Sequence, residues 1–188
     1  MNTSSALSLA FLAAFFLVAT TEAAKGPNVL QRDIPDAFQI FASFPYGVAI
    51  TDIDNDEILD CLTAKRKDFD PEAKTVTYVW SLNGGEGNKR KHVAFHHTAG
   101  ATPDATNFTV GKDSDKVEVA HFRYTDYKDC AIVEVPHFGD ECVLFVSQEK
   151  ENDVPASCME QFSDICGEAI SLRDKHVCVD DKSEDEDY

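Results

Sequence analysis

Five of the six cysteines in this 188-residue chain lie in a single stretch, residues 126–178. The stretch contains two apolar runs of strand length, residues 130–136 and 142–148, and the turn-forming residues 137–140 lie between them. This pattern predicts a β-hairpin. Because each run begins with a cysteine, disulfides can tie the hairpin to the segment that follows it.

The segment after the hairpin predicts a short helix. Pro155 suits an early helical position, Phe162 and Ile165 recur at helical spacing, and Gly167 is a suitable stop. Two more cysteines lie within this segment. A hairpin followed by a disulfide-bonded helix is therefore the predicted end of the folded domain.

Residues 1–24 are predicted to be a secretory signal peptide. The apolar run 7–19 is too short to span a bilayer, and small residues offer cleavage after Ala23 or Ala24, although no Lys or Arg precedes the run. All six cysteines lie beyond this leader, and an even count in a secreted chain predicts three disulfides. Spacing alone does not choose among the fifteen pairings.

The net charge of −17 argues against binding to nucleic acid or to anionic membranes, because both need Lys and Arg. The charge favours solubility but identifies no partner. Residues 179–188 are rich in Asp and Glu and predict a disordered acidic tail, in which Tyr188 is a candidate for sulfation. One folded domain, residues 25–178, is expected between the leader and this tail.

The folded region reads as mostly β. Asp33 is predicted to cap a short helix that places Ile34, Phe38 and Phe41 on one face. Six segments of strand character follow before the hairpin, at residues 46–52, 59–65, 75–82, 91–97, 106–110 and 116–125. The eight strands have short connections and a regular spacing, which predicts a sandwich or a barrel. An eight-stranded up-and-down barrel would enclose one small-ligand cavity.

The C-terminal third resembles the tick salivary lipocalins of the histamine-binding-protein family. The similarity is carried by the order Asp-Tyr-Lys-Asp-Cys at 126–130, a strand ending at Pro136, Cys-Val-Leu-Phe-Val at 142–146, Val-Pro-Ala-Ser-Cys at 154–158 and a final Cys178. The Gly-x-Trp signature of general lipocalins is absent, since the only tryptophan is Trp80.

The resemblance implies an all-β fold. This is an eight-stranded antiparallel up-and-down barrel, with a short N-terminal helix and a C-terminal helix packed outside. It also implies the disulfides Cys61–Cys178, Cys130–Cys158 and Cys142–Cys166. In function it implies a secreted, monomeric binding protein, with no enzymatic activity and no cofactor, that sequesters a small host mediator such as histamine or serotonin.

The amine motif of that family is incomplete here. The family places Asp directly after the cysteine that is Cys130 here, and Glu-Leu-Trp or Glu-Leu-Tyr on the next strand. This chain has Ala131 and then Val-Leu-Phe at 143–145. Glu118, Asp52 and Asp54 are the carboxylates that could compensate an amine instead.

A more apolar cavity predicts a second ligand class, a fatty acid or leukotriene. Both faces of the strand 116–125 are mixed, so alternation does not decide which face points inward. If Val119 and His121 face inward, Arg123 can pair with a lipid carboxylate. In the alternative Arg123 lies at the rim and His121 faces solvent. The candidate ligand-binding residues are Val76, Tyr78, Trp80, Val119, His121, Arg123, Val143 and Phe145.

Other signals are weaker. The acidic run 52–56 resembles the start of an EF-hand loop but has Glu57 in place of Gly and Thr63 in place of Glu, so no metal site is expected there. His96 and His97 are adjacent in a strand and point to opposite faces. Asn107 begins a sequon and is a predicted glycosylation site. The alternative function is a barrel scaffold that binds a host complement or clotting protein through its surface.

Overall fold

Eight antiparallel strands close into a barrel in the computed structural model, which describes residues 26–82, 90–173 and 178. Each strand pairs with its neighbour in sequence, and β1 pairs with both β2 and β8 to close the wall. The strands are β1 Tyr46–Asp52, β2 Thr63–Asp70, β3 Thr75–Leu82, β4 Lys91–Ala99, β5 Ala105–Val110, β6 Asp113–Thr125, β7 Cys130–Val135 and β8 Glu141–Ser147. The predicted up-and-down barrel is therefore confirmed.

Two α-helices, a 3-10 helix at Gln148–Lys150 and one further strand complete the described elements. Helix α1 covers Ala37–Ser43, helix α2 covers Ala156–Ile165, and the two-residue strand β9, Ile170–Ser171, pairs with the end of β1. None of the helices in the described ranges is long and apolar enough to cross a membrane. The predicted signal peptide 1–24 and the acidic tail 179–188, including Tyr188, lie outside the described residues.

The predicted bounds of the second strand and the predicted cap of the first helix are wrong. The second strand begins at Thr63 instead of residue 59, because Cys61 adopts a left-handed φ of 57° in the turn before it. The first helix is capped by Asp36 instead of Asp33, and the Asp36 carboxylate accepts from the amides of Phe38 and Gln39. Ile34, predicted to be on its buried face, precedes the helix and is 76% exposed.

The apolar residues separate into two clusters, one inside the barrel and one outside it. Helix α1 closes one end of the barrel, where the Phe41 ring meets Tyr78 at 5.4 Å, His97 at 5.2 Å and Phe122 at 5.3 Å between centroids. Helix α2 packs outside, where Phe162 belongs to the cluster formed with residues of β1, β7 and β8. The outer position predicted for the C-terminal helix is confirmed.

All three expected disulfides are present: Cys61–Cys178, Cys130–Cys158 and Cys142–Cys166. Two of them join the β7–β8 hairpin to α2, and the third fastens the end of the described chain to the turn before β2. Gly167, with a φ of 96°, follows the last helical turn and its amide bonds to the carbonyl of Ser163, so it ends the helix as expected.

Candidate functional site

A small cavity of about 70 Å³ lies inside the barrel next to α1. Its wall is almost entirely apolar and aromatic. Trp80 lies 4.4 Å from Phe95 and 5.7 Å from Phe145 between ring centroids. Gly47 leaves room for this arrangement, because a Cβ at that position would lie 3.3 Å from the Phe145 ring. The full lining is Ile40, Phe41, Phe44, Gly47, Ala64, Tyr78, Trp80, Phe95, His97, Ala120, Phe122, Ala131, Val133, Val135 and Phe145.

Three side chains in this wall carry polar atoms, those of Tyr78, Trp80 and His97, and all three are neutral. The Tyr78 hydroxyl donates to the Phe44 carbonyl, and burial raises the pKa of Tyr78 above its usual value. The imidazole Nδ1 of His97 lies 3.0 Å from the Thr106 hydroxyl. Burial, reinforced by neighbouring His96, lowers the pKa of His97 to about 3. The cavity therefore offers aromatic faces and an uncharged imidazole, and no charged side chain lines it within the described residues.

The candidates on β3 and β8 lie inside the barrel. Tyr78, Trp80 and Phe145 line the cavity, while Val76 and Val143 are buried in the same interior cluster without contributing to the cavity wall. Alternation groups Val76, Tyr78 and Trp80 on one face of β3, and Val143 and Phe145 on one face of β8, and both of these faces point inward.

The candidates on β6 lie on the wrong side for the predicted lipid site. Ala120 and Phe122 are buried inside, whereas Val119 is 40% exposed. The Arg123 guanidinium donates to the Glu134 carboxylate of β7, with Nε to Oε2 at 2.7 Å, and His121 lies 3.6 Å from Asp104. The prediction that Val119, His121 and Arg123 line the cavity is therefore wrong.

A sequence signal could have decided the orientation of β6. Val133 and Val135 of β7 face inward, so Glu134 between them faces outward. Because Glu134 and Arg123 have opposite charges, a cross-strand pair between them is favoured on the outer face. This orientation buries Ala120 and Phe122 and leaves His121 and Arg123 outside, where their desolvation is avoided. It also turns Glu118 to the inward side of β6.

A hydrogen-bonded carboxylate, Glu118, lies next to the aromatic interior. The Glu118 carboxylate accepts from the His137 imidazole, with Oε2 to Nδ1 at 2.7 Å, and also pairs with the Lys116 ammonium. Burial raises the pKa of Glu118, but the hydrogen bonds from Lys116 and His137 outweigh that effect and hold the pKa below its usual value. His137 lies 5.6 Å from Phe95, so an ionised carboxylate sits close behind the cavity wall.

A separate acidic cluster combines the end of β1 with the start of β8. Oxygen atoms of Asp52, Asp54 and Glu141 all lie within 4.8 Å of one another. Asp52 and Glu141 are each only 1% exposed. Burial and then neighbouring Asp54 raise the pKa of Asp52 to about 7 and that of Glu141 to about 8. The sequence had marked Asp52 and Asp54 but not Glu141.

A larger cavity of about 320 Å³ lies outside the barrel, between residues 26–35 and the outer faces of β6 and β7. Arg32 and Arg123 contribute to its wall, but each guanidinium is already paired, with Asp164 and Glu134 respectively. A ligand carboxylate would therefore have to compete with Asp164 for Arg32, or with Glu134 for Arg123.

Comparison with known proteins finds similarity to one protein family and to several solved structures. The family model described as "Tick histamine binding protein" matches residues 45–177. Among solved structures, Japanin from Rhipicephalus appendiculatus bound to cholesterol is similar at a TM-score of 0.53 and 10% identity, covering 74% of this chain and 95% of that one. The AM182 serotonin complex is similar at a TM-score of 0.57 and 14% identity, covering 79% and 97%. No curated protein sequence matches.

Proposed function

The chain belongs to the tick histamine-binding protein family, and from this premise we propose that it is a secreted lipocalin that captures one small host mediator inside its barrel. Capture is stoichiometric, so the protein acts by abundance and affinity without turnover. The closed wall, the helix at one end and the interior cavity provide the container that this mechanism needs.

The observation that carries the proposal is the aromatic cavity beside α1. Flat rings stack on aromatic side chains, and cations are attracted to the faces of Trp, Tyr and Phe. The cavity of about 70 Å³ is well below the roughly 300 Å³ at which pockets for drug-sized ligands begin. A small ring compound of the biogenic-amine class suits this volume better than a long-chain lipid does.

The ammonium group of such a ligand needs a compensating anion when it leaves water. Positions 131 and 143, where the family pattern has carboxylates, hold Ala131 and Val143 in the barrel interior. Glu118 is an ionised carboxylate on the inward side of β6. It is hydrogen-bonded to His137, whose ring contacts Phe95 in the cavity wall. We assign to Glu118 the role of pairing with the ligand's ammonium, with the ligand's ring packed against Trp80 and Phe145.

An eicosanoid or fatty acid is the less favoured ligand. The arginine proposed to pair with its carboxylate, Arg123, points outward and is bound to Glu134. The cavity would also have to widen by movement of aromatic side chains. Japanin, which is similar in fold, is described with cholesterol bound, whereas the interior of this barrel is filled largely by its own aromatic rings.

Calorimetric titration with histamine, serotonin, leukotriene B4 and arachidonate tests the proposal. We expect saturable binding of one amine per chain. Because Trp80 is the only tryptophan and lines the cavity, its fluorescence should change over the same titration. Glu118→Gln should weaken amine binding by roughly tenfold or more, since a charge-assisted pair is lost. Glu72→Gln, an exposed carboxylate in the β2–β3 turn, is the matched control and should leave affinity unchanged.

Other results would redirect the assignment. Lipid binding without amine binding would contradict the proposed ligand class. Heat from none of the four compounds would favour the alternative, a barrel that binds a host protein through its surface. In that case, deletion of residues 179–188 becomes informative, because removal of an acidic tail should affect a protein partner and not a ligand inside the barrel.

A further inference from the structure

The acidic cluster at the end of β1 has the properties of a ligand site whose ligand is a cation. It goes beyond the proposed function, because Asp52, Asp54 and Glu141 do not line the aromatic cavity. Asp52 is the last residue of β1 and Glu141 is the first of β8, 89 positions later in the chain. They meet because β1 and β8 pair where the barrel closes, and a β-bulge between Ala49 and Thr51 redirects the end of β1.

Buried carboxylate oxygens in this cluster have no hydrogen-bond donor. Oδ1 of Asp52 and both Oε1 and Oε2 of Glu141 are fully shielded from solvent and unpartnered. Buried charged groups in folded proteins are paired, hydrogen-bonded or bound to a metal, because an unpaired buried charge is very unfavourable. Two such residues side by side point to a missing positive partner.

Further negative charge surrounds the three carboxylates. Asp56 acts electrostatically on both Asp52 and Glu141, and Asp140, next in sequence to Glu141, acts on Glu141. A single positive charge would leave most of this repulsion in place. A divalent ion would relieve more of it and would accept several oxygens at once.

We propose that Asp52, Asp54 and Glu141 form a calcium site at the junction of β1 and β8. Calcium takes oxygen ligands at roughly 2.3–2.6 Å, so two oxygens on one ion can lie up to about 5.2 Å apart. The oxygens of the three residues, all within 4.8 Å of one another, fit around one such ion. Magnesium usually keeps several waters and is seldom held by an all-protein set of carboxylates, so three carboxylates favour calcium.

The chain segment around the site is arranged as a ligand loop. The amide of Asp56 donates to Oδ1 of Asp54 at 3.2 Å, and the amide of Ile58 donates to Oδ1 of Asp56 at 2.8 Å. Glu57 adopts a φ of 66°, which turns the chain sharply at the position where an EF-hand loop has glycine. The acidic ligand that an EF-hand takes from its own loop comes here from Glu141 on another strand.

Calcium titration of the full secreted chain tests this site. We expect one CaCl₂ equivalent to bind in calorimetry at matched ionic strength. Raising calcium to ten times its dissociation constant should increase the melting temperature by roughly 3–6 °C. The double variant D52N/E141Q keeps the shapes of both side chains and removes their charges. It should fold, melt higher than the native chain without calcium, and lose the calcium response.

The controls separate this site from general attraction to an acidic protein. The variant Glu72→Gln removes one exposed carboxylate and should keep the full calcium response. All variants retain the acidic tail 179–188, so weak binding there contributes equally to each. No calcium-dependent change in melting temperature, or an equal response to MgCl₂, would overturn the calcium assignment. Histamine or serotonin binding that requires Asp52 and Glu141, without a calcium effect, would overturn it too.

Discussion

The buried imidazole of His97 makes the stability of the barrel depend on pH. The ring is enclosed by Phe41, Phe95 and Phe108 and bonded to Thr106, and its burial lowers its pKa to about 3. In the unfolded chain the same group has a pKa of about 6.5. Between these two values the unfolded chain binds a proton that the folded chain does not, so the free energy of unfolding falls as the pH falls.

The magnitude follows from the difference between the two pKa values. On going from pH 8 to pH 5, His97 should lower the free energy of unfolding by about 2 kcal/mol. The full effect of about 5 kcal/mol would be reached only near pH 3. The variant His97→Gln keeps a side chain that can bond to Thr106 and cannot take up this proton, so it should remove that part of the pH dependence.

Urea unfolding at pH 8, 6 and 5, with disulfides intact, measures the effect. The matched control is His96→Gln, which changes the adjacent histidine on the exposed face of β4. Asp52 and Glu141 have raised pKa values and so contribute with the opposite sign, but their contribution is present in every variant. The decisive quantity is the difference between native chain and variant. If that difference is the same at pH 8 and pH 5, the assignment of a neutral buried His97 is refuted.

Three further predictions concern a disulfide, a surface ion pair and a glycosylation site. Peptide mapping should find Cys61 linked to Cys178. Replacing both cysteines by Ser should lower the free energy of unfolding by about 4–5 kcal/mol, because the bridge spans 117 residues and restricts the unfolded chain. An unchanged urea unfolding curve would contradict this prediction. Arg123→Ala should leave ligand affinity unchanged. In thermal unfolding it should lower the free energy of unfolding by no more than about 1 kcal/mol, because the Arg123–Glu134 ion pair is partly exposed. Asn107→Gln should remove one glycan from the secreted protein, seen as a mass decrease, because Asn107 occupies a sequon in a partly exposed position; equal masses would exclude glycosylation there.

The sequence predicted the elements with one clear apolar face and failed where both faces are mixed. In β3, Val76, Tyr78 and Trp80 alternate with more polar residues, and the structure places all three inside. In β6, charged and apolar residues alternate on both sides, and only its register with β7 decides the orientation. The second half of β2 is polar and exposed, so an apolar pattern cannot show that the strand continues to Asp70.

The acidic cluster shows a different limit of sequence reasoning. Glu141 follows Asp140 in a turn-rich stretch, where an acidic residue is usually solvated. Nothing near it in sequence indicates burial. Its neighbour Asp52 is brought beside it only by the last pairing that closes the barrel, between strands at opposite ends of the fold. A site made by closure is therefore invisible to local patterns, whereas the hairpin is local enough to be predicted. The pairing of its cysteines followed only from the family resemblance, because spacing did not choose among the possible pairs.

The placement of charge inside the barrel differs from the family pattern in a way that bears on how a ligand would lie. Ala131 and Phe145 face each other across β7 and β8, and both line the cavity. That side of the interior has become apolar, and the ionised carboxylate behind the cavity wall is Glu118 on β6. A cationic ligand bound to Glu118 would therefore direct its ammonium toward β6 and His137, and its ring toward Phe145. The cavity lining is therefore uncharged, although the protein as a whole is strongly acidic.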